Sequence, residues 1–217
     1  FNTQQRTAVE YSPEPLLIMA GAGTGKTTTI VGRMAYLIQN QGASPESILA
    51  LTFTNDAADH LKKKLVTEIG DAGSKVQSCT FHSFAQSQTN TYYKELGYSK
   101  LPTVMNQGDI FFLLRQQFDE LKQLRSTLFR RNPVQAIQSF QKVFEAFQQN
   151  LLRESELKAL QKKELDKIKS ITDKKELDKI FQLADLVDVY PQYEAWKKEM
   201  NWIDYGDMIA NLWKLIE

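Results

Sequence analysis

The chain is poor in cysteine, histidine and proline: 217 residues contain one cysteine, Cys79, two histidines and six prolines. A lone thiol excludes an internal disulfide, and a reducing, cytoplasmic compartment is the default expectation for such a chain. No apolar run approaches the ~20 residues that span a bilayer, so no membrane partner is expected. Positive and negative side chains nearly balance, 27 Lys+Arg against 26 Asp+Glu. The formal net charge is +1, which excludes a polycationic wrapper of nucleic acid. Contact with a polyanion must therefore come from local patches. The opening Phe1-Asn2-Thr3-Gln4-Gln5 has no basic stretch leading into an apolar one, and so no signal-peptide character. It also lacks a Met, and the expectation is a piece trimmed from something longer.

What is present suits a globular fold. Hydrophobic residues make up 42% and charged residues 24%, enough for one large domain or two modest ones. Over the first ~90 residues, short apolar runs alternate with helical patterns. Leu16-Leu17-Ile18-Met19-Ala20 is a buried-strand candidate, followed by a glycine-rich turn and a helix from about Gly25 to Asn40. In that helix Ile30, Met34, Leu37 and Ile38 recur at helical spacing. Ile48–Phe53 predicts a second strand, Asn55 a cap for the helix after it, and Val76–Phe81 a third strand, with a helix from near Ser83. Strands alternating with helices of this length predict a parallel sheet with helical crossovers.

The middle differs. From about Asn90 to Lys198 no strand-like run stands out and glycine nearly vanishes. Amphipathic stretches at Gly108–Leu124, Pro133–Asn150, Glu154–Ser170 and Asp173–Val187 predict a separate all-helical unit. The heptapeptide KKELDKI recurs at 162–168 and 174–180, too few copies for a solenoid. Residues 91–200 hold 19 Lys+Arg against 16 Asp+Glu. These lysines fit a solvated helix face with ion pairs three and four residues apart, and alternatively a duplex-backbone contact surface.

The strongest chemical signal is Ala20-Gly21-Ala22-Gly23-Thr24-Gly25-Lys26-Thr27, a phosphate-loop pattern with Ala at its first position. It lies between a predicted strand and a helix, the context the motif needs. Small residues let backbone N–H groups turn inward around an anion, and the new helix aims its N-terminus at the same point. Lys26 would reach the outer phosphates and Thr27 would bind Mg²⁺ through its hydroxyl.

Flanking segments narrow the class. Phe1-Asn2-Thr3-Gln4-Gln5-Arg6-Thr7-Ala8-Val9 resembles the Q motif of superfamily 1A helicases, the UvrD/Rep/PcrA group with its AddA- and RecB-like relatives. By that resemblance Gln5 reads the adenine edge, for which a carboxamide offers both a donor and an acceptor. Leu51-Thr52-Phe53-Thr54-Asn55-Asp56-Ala57-Ala58 looks like motif Ia, and Cys79-Thr80-Phe81-His82-Ser83 like motif Ib. The resemblance implies that Thr52, Phe53, Thr54, Asn55, Thr80 and His82 meet single-stranded DNA, with Phe53 near a base. Residue by residue, Phe53 also fits a core position at a strand end, Asn55 a simple cap, and His82 a satisfied hydrogen-bonding residue. Cys79 reads as a buried thiol. The tail Ile203–Ile209 resembles the family segment hDFxDLh, where the chain returns from a helical insertion to the motor domain.

The resemblance implies an α/β fold: a partial RecA-like parallel sheet, domain 1A, in residues 1–90 and 200–217, with an all-helical insertion, 1B, in 91–199. It implies ATP and Mg²⁺ as cofactors, held by Gln5 and Ala20–Thr28. It also implies single-stranded DNA and its junction with duplex as substrate, with repair or recombination proteins as further partners. Two departures stand out. Thr28 occupies the place where many relatives carry an adenine-stacking Arg. No apolar run ends in the Asp-Glu pair that hydrolysis needs, and Asp119-Glu120 lies in a Gln-rich helical stretch. The expectation is an N-terminal piece of a DNA-unwinding ATPase that does not hydrolyse ATP alone. The alternatives are an inert DNA- or protein-binding module and another P-loop NTPase. A guanine-reading NKxD motif, which a GTPase would carry, is missing.

Overall fold

The computed structural model describes residues 1–121 and 123–217. It is a mostly helical α/β chain with two small parallel sheets. Contacts group it into two compact units, Phe1–Phe84 and Ala85–Glu217.

The first unit opens with helix α1 (Thr3–Glu10). Its capping box is reciprocal: Asn2 Oδ1 accepts from the Gln5 N–H at 2.8 Å, and Gln5 Oε1 accepts from the Asn2 N–H at 2.9 Å. Helix α2 (Lys26–Asn40) packs beside it. The Arg33 guanidinium donates to the carbonyl oxygens of Ala8, Tyr11 and Ser12, so α2 satisfies the C-terminal end of α1. Strand β1 (Leu49–Thr52), helices α3 (Asn55–Ile69) and α4 (Asp71–Lys75), and strand β2 (Gln77–Thr80) follow. β1 and β2 run parallel, as expected for a helical crossover, in the register Leu49↔Gln77 to Thr52↔Thr80. Val31, Met34, Leu61, Leu65 and Val76 make the core beneath them.

Three local expectations change here. Leu16–Ala20 has no regular secondary structure, among the described residues no strand pairs with it, and Leu17 and Met19 are 84% and 88% exposed. A strand is held by its neighbour's N–H and C=O groups, and apolar sequence alone does not supply that ladder. Ile30, at helical spacing with the core of α2, faces solvent. The cap of α3 is Thr54 rather than Asn55: Thr54 Oγ1 accepts from the Ala57 N–H at 3.2 Å.

Helix α5 (Phe81–Thr91) carries the division between the units. The second unit contains β3 (Thr103–Val104), α6 (Gln107–Gln117), α7 (Thr127–Arg131), α8 (Pro133–Gln149), α9 (Glu154–Leu165), α10 (Lys174–Met200), β4 (Trp202–Ile203) and α11 (Tyr205–Ile216). The four predicted amphipathic stretches contain α6, α8, α9 and α10, with α6 ending at Gln117 and α9 at Leu165, short of the expected Leu124 and Ser170; Lys122, in the first stretch, lies outside the described residues. The core is aromatic. Phe140 stacks on Phe144 at 5.6 Å and meets Phe129 edge-on at 5.3 Å, while Phe144 reaches Tyr193 of α10 at 5.2 Å. α10 overruns its expected end at Val187 and passes through Pro191 to Met200. A mid-helix proline costs about 3 kcal/mol or more. Burial of Val187, Val189 and Tyr193 on both sides of Pro191 offsets it.

A strand does occur in the middle segment: β3 pairs parallel to β4 through Thr103↔Trp202 and Val104↔Ile203. Two residues per strand leave almost no pattern to read. The tail 200–217, grouped in sequence with residues 1–90, makes its contacts in α11 with α8 and β4. Lysines of this unit form the expected helix-face pairs, Lys158 with Glu154 and Lys167 with Glu164. No helix among the described residues is long and apolar enough to cross a membrane.

Candidate functional site

The phosphate-loop residues come together as one structure. Gly23 and Gly25 take φ of +74° and +86°, a left-handed backbone that an L side chain resists. Gly25 is also the N-cap of α2, and no side chain caps that end. The first amides of the helix, at Lys26, Thr27 and Thr28, are thus left for an outside acceptor. Lys26 Nζ folds back over the loop and donates to the carbonyl oxygens of Ala20 at 3.0 Å and Gly21 at 2.9 Å. Thr24 Oγ1 donates to the Gly21 carbonyl at 2.9 Å, which tightens the turn around Ala22. Thr27 is half-buried and Thr28 exposed at the helix start.

Gln5, 19 positions before Thr24, arrives at the same place. Its Nε2 donates to the Thr24 carbonyl at 3.1 Å while its Oε1 serves the α1 capping box. A Cβ on Gly25 would lie 2.8 Å from that Nε2. Every cofactor-site residue expected from sequence, Gln5 and Ala20 through Thr28, is therefore on this loop or against it.

The six DNA-site candidates gather at the carboxyl end of the parallel pair, where open α/β sheets bind ligands. Thr52 and Thr80 are direct partners across β1 and β2. Thr52 Oγ1 donates to the Thr54 carbonyl at 2.9 Å, and Thr54 caps α3. Phe53 stands 92% exposed between them, so the core position open to it in sequence is not the one it takes. Asn55 is exposed on the first turn of α3, and His82 on the first turn of α5. Thr80 is different: only 8% exposed, its hydroxyl accepts from the Ser83 N–H at 3.1 Å and pairs with Ser83 Oγ at 2.8 Å. It acts first as the cap of α5. Cys79 is half-buried, and burial pushes its thiol pKa up, away from reactivity. Phe81 was not singled out from sequence. Its ring lies 5.6 Å from Phe53, tilted by 42°.

The second unit holds a buried polar cluster around the tail motif. Lys197, 2% exposed, donates to Asp207 at 2.7 Å and Asp204 at 2.9 Å and forms an ion pair with Glu194 at 2.9 Å. Gln148 Nε2 donates to Asp204 and Asp207, and the Tyr193 hydroxyl donates to Asp204 at 2.7 Å. Asp204 and Asp207 also make the capping box of α11. Burial opposes the Lys197 charge, but three carboxylates outweigh it and hold its pKa well above the usual lysine value. Burial likewise opposes the Asp204 charge, and the Lys197 ammonium overcomes it and holds Asp204 low. For Asp207 burial wins, and its carboxyl is pushed up to about 7. Among the described residues no group of His, Cys, Asp or Glu forms a metal-binding cluster.

The UvrD/REP helicase N-terminal domain family model matches residues 1–217. The chain belongs to that family. It is 29% identical over 221 residues to the ATP-dependent DNA helicase srs2 of Schizosaccharomyces pombe, a match covering all of this chain and 24% of that protein. Over 82 residues it is 46% identical to the ATP-dependent DNA helicase PcrA of Staphylococcus aureus and 45% identical to that of Staphylococcus epidermidis. Those matches cover 38% of this chain and 11% of either relative. The chain thus spans a quarter or less of the length of these relatives. In this UvrD/REP-family chain, Phe53, Thr54 and Asn55 after β1 and Thr24 and Lys26 in the glycine-rich loop are exposed.

Proposed function

We propose that the chain is the ATP-binding and single-stranded-DNA-binding part of an ATP-dependent DNA helicase or translocase. The observation that carries it is the loop itself: two left-handed glycines lead into a helix N-terminus with no side-chain cap, and the Lys26 ammonium folds back onto the loop's own carbonyls. Those donors fit a polyphosphate. The amides of Lys26, Thr27 and Thr28 would hold its oxygens. Lys26 would exchange the Ala20 and Gly21 carbonyls for the outer phosphates, a stronger, charge-assisted bond. Thr27 would hold Mg²⁺, which supplies positive charge against the phosphates when bound. Gln5 would turn its carboxamide to the adenine edge. With Thr28 in place of an arginine, base stacking falls to other groups.

In this proposal residues 1–90 and 200–217 belong to a RecA-like domain 1A, and residues 91–199 form the helical insertion 1B. Thr52, Phe53, Thr54, Asn55, Thr80 and His82 line the single-stranded track near a junction with duplex. Repair or recombination proteins are the partner class, and the cytoplasm the compartment. Closure of this lobe on a second would convert ATP turnover into DNA movement. An inert binding module is favoured by a single observation, the lack of an apolar run ending in Asp-Glu. One experiment addresses both readings: DNA-stimulated ATPase of the full-length protein, its Lys26→Ala variant, and these 217 residues alone. The expectation is turnover only in the unmodified full-length protein. Normal turnover in Lys26→Ala sinks the ATPase assignment, and no turnover in any sample favours the inert module.

A further inference from the structure

Phe53 and Phe81 present an unusual pairing. The register Thr52↔Thr80 means that the residues after each strand leave the sheet side by side, at the ~4.8 Å spacing of neighbouring strands. Both are aromatic, and their ring centroids lie 5.6 Å apart. Neither belongs to the core of the first unit, which is built from Val31, Met34, Ala50, Leu61, Leu65 and Val76. Phe53 is 92% exposed and Phe81 40% exposed. A phenylalanine this exposed gains little from burial and samples its rotamers freely unless something holds it. Phe81 is the ring in contact with it, and a tilted aromatic contact contributes about 0.5–1.5 kcal/mol.

We infer that Phe81 is a positioning residue: it props the Phe53 ring in one orientation, so that an unpaired nucleobase stacks on the open face of Phe53. This rests on the single-stranded-DNA reading above. The 42° tilt prevents both rings from lying flat on one base. One ring therefore receives the base and the other holds it. At 92% exposure Phe53 has the open face, and Phe81, anchored at the start of α5, is the support. Pre-ordering the receiving ring removes an entropy loss that base stacking would otherwise incur. Stacking is blind to base identity, which suits a track that any sequence must cross.

The test uses the full-length chain with two labelled oligomers of equal length, oligo-dT and a fully abasic strand. The readout is the ratio of their dissociation constants. Phe53→Ala should lower the preference for dT about tenfold. Phe81→Ala should lower it in the same direction by several-fold, leave abasic binding unchanged, and add nothing to Phe53→Ala in the double variant. Phe81→Tyr, which keeps the ring, should retain the preference, and Phe81→Leu, which keeps only the bulk, should lose it. That last pair decides the matter if the alanine variant folds poorly. If Phe53→Ala lowers the ratio and Phe81→Leu matches Phe81→Tyr, the positioning role is wrong. Equal weakening on both oligomers in Phe81→Leu marks a merely structural role and overturns it too. If Phe53→Ala itself leaves the ratio unchanged, the DNA reading of this edge fails first.

Discussion

At Gly25 two demands meet in one residue. Its φ of +86° disfavours any side chain, and a Cβ would press on Gln5 Nε2 at 2.8 Å. The left-handed backbone alone costs a non-glycine residue about 1–2 kcal/mol. Pushing Gln5 away also breaks its bond to the Thr24 carbonyl and loosens the α1 capping box. Gly25→Ala is expected to lower the melting temperature by several degrees and, on the ATP-binding function proposed above, to abolish stabilisation by ATP with Mg²⁺. Differential scanning fluorimetry with and without nucleotide measures both. An undiminished nucleotide shift in this variant would show that the loop geometry is not what binds.

Among the elements, α8 carries the second unit. Phe140, Phe144 and Phe147 lie along its inner face, and each is at least 94% buried. Phe140 touches Phe118, Phe129 and Phe144, so its ring joins α7 and the end of α6 to α8. Phe140→Ala removes those contacts and leaves a cavity that aromatic neighbours do not easily fill. The expected loss is about 3–5 kcal/mol, read as a fall in the urea midpoint. A loss below about 1 kcal/mol would mean the core collapses around the gap. α10 makes the complementary point. Its proline would end a helix in isolation, yet a buried face on both sides of Pro191 carries the helix through.

For the whole molecule, stability should depend on pH through the buried cluster of Lys197, Glu194, Asp204, Asp207, Gln148 and Tyr193. Asp207 keeps its proton up to about 7 in the fold and releases it near 3.8 when unfolded. Between those values the folded state binds more protons, so this group lowers stability as pH rises, with no further change above about 7. Lys197 acts in the same direction in alkali, where its raised pKa gives stability that is lost as pH climbs past the ordinary lysine range. Asp207→Asn should remove the first effect. Urea midpoints at about pH 5 and about pH 8 test it: the drop on going to the higher pH should be smaller in the variant. Equal drops would show that Asp207 titrates normally in the fold.

The phosphate loop, the two longer strands and the four helical stretches of the middle were legible without a structure. Each is local: left-handed turns ask for glycine within a few residues, and amphipathic period appears within one helix. Gln5 was legible only beside the loop and by resemblance to relatives. The rest depends on which distant segments meet. Leu16–Ala20 reads as a strand because it is apolar, but pairing requires a neighbour that local sequence does not name. Phe81 met Phe53 because the β1–β2 register put Thr52 opposite Thr80. Lys197 looks like one more surface lysine until Gln148, Glu194, Asp204 and Asp207 close around it. Sequence alone determined the local backbone that can cradle a phosphate. Tertiary structure decided which side chains are buried, capped or left open, because burial and cross-strand contact are properties of the packed chain.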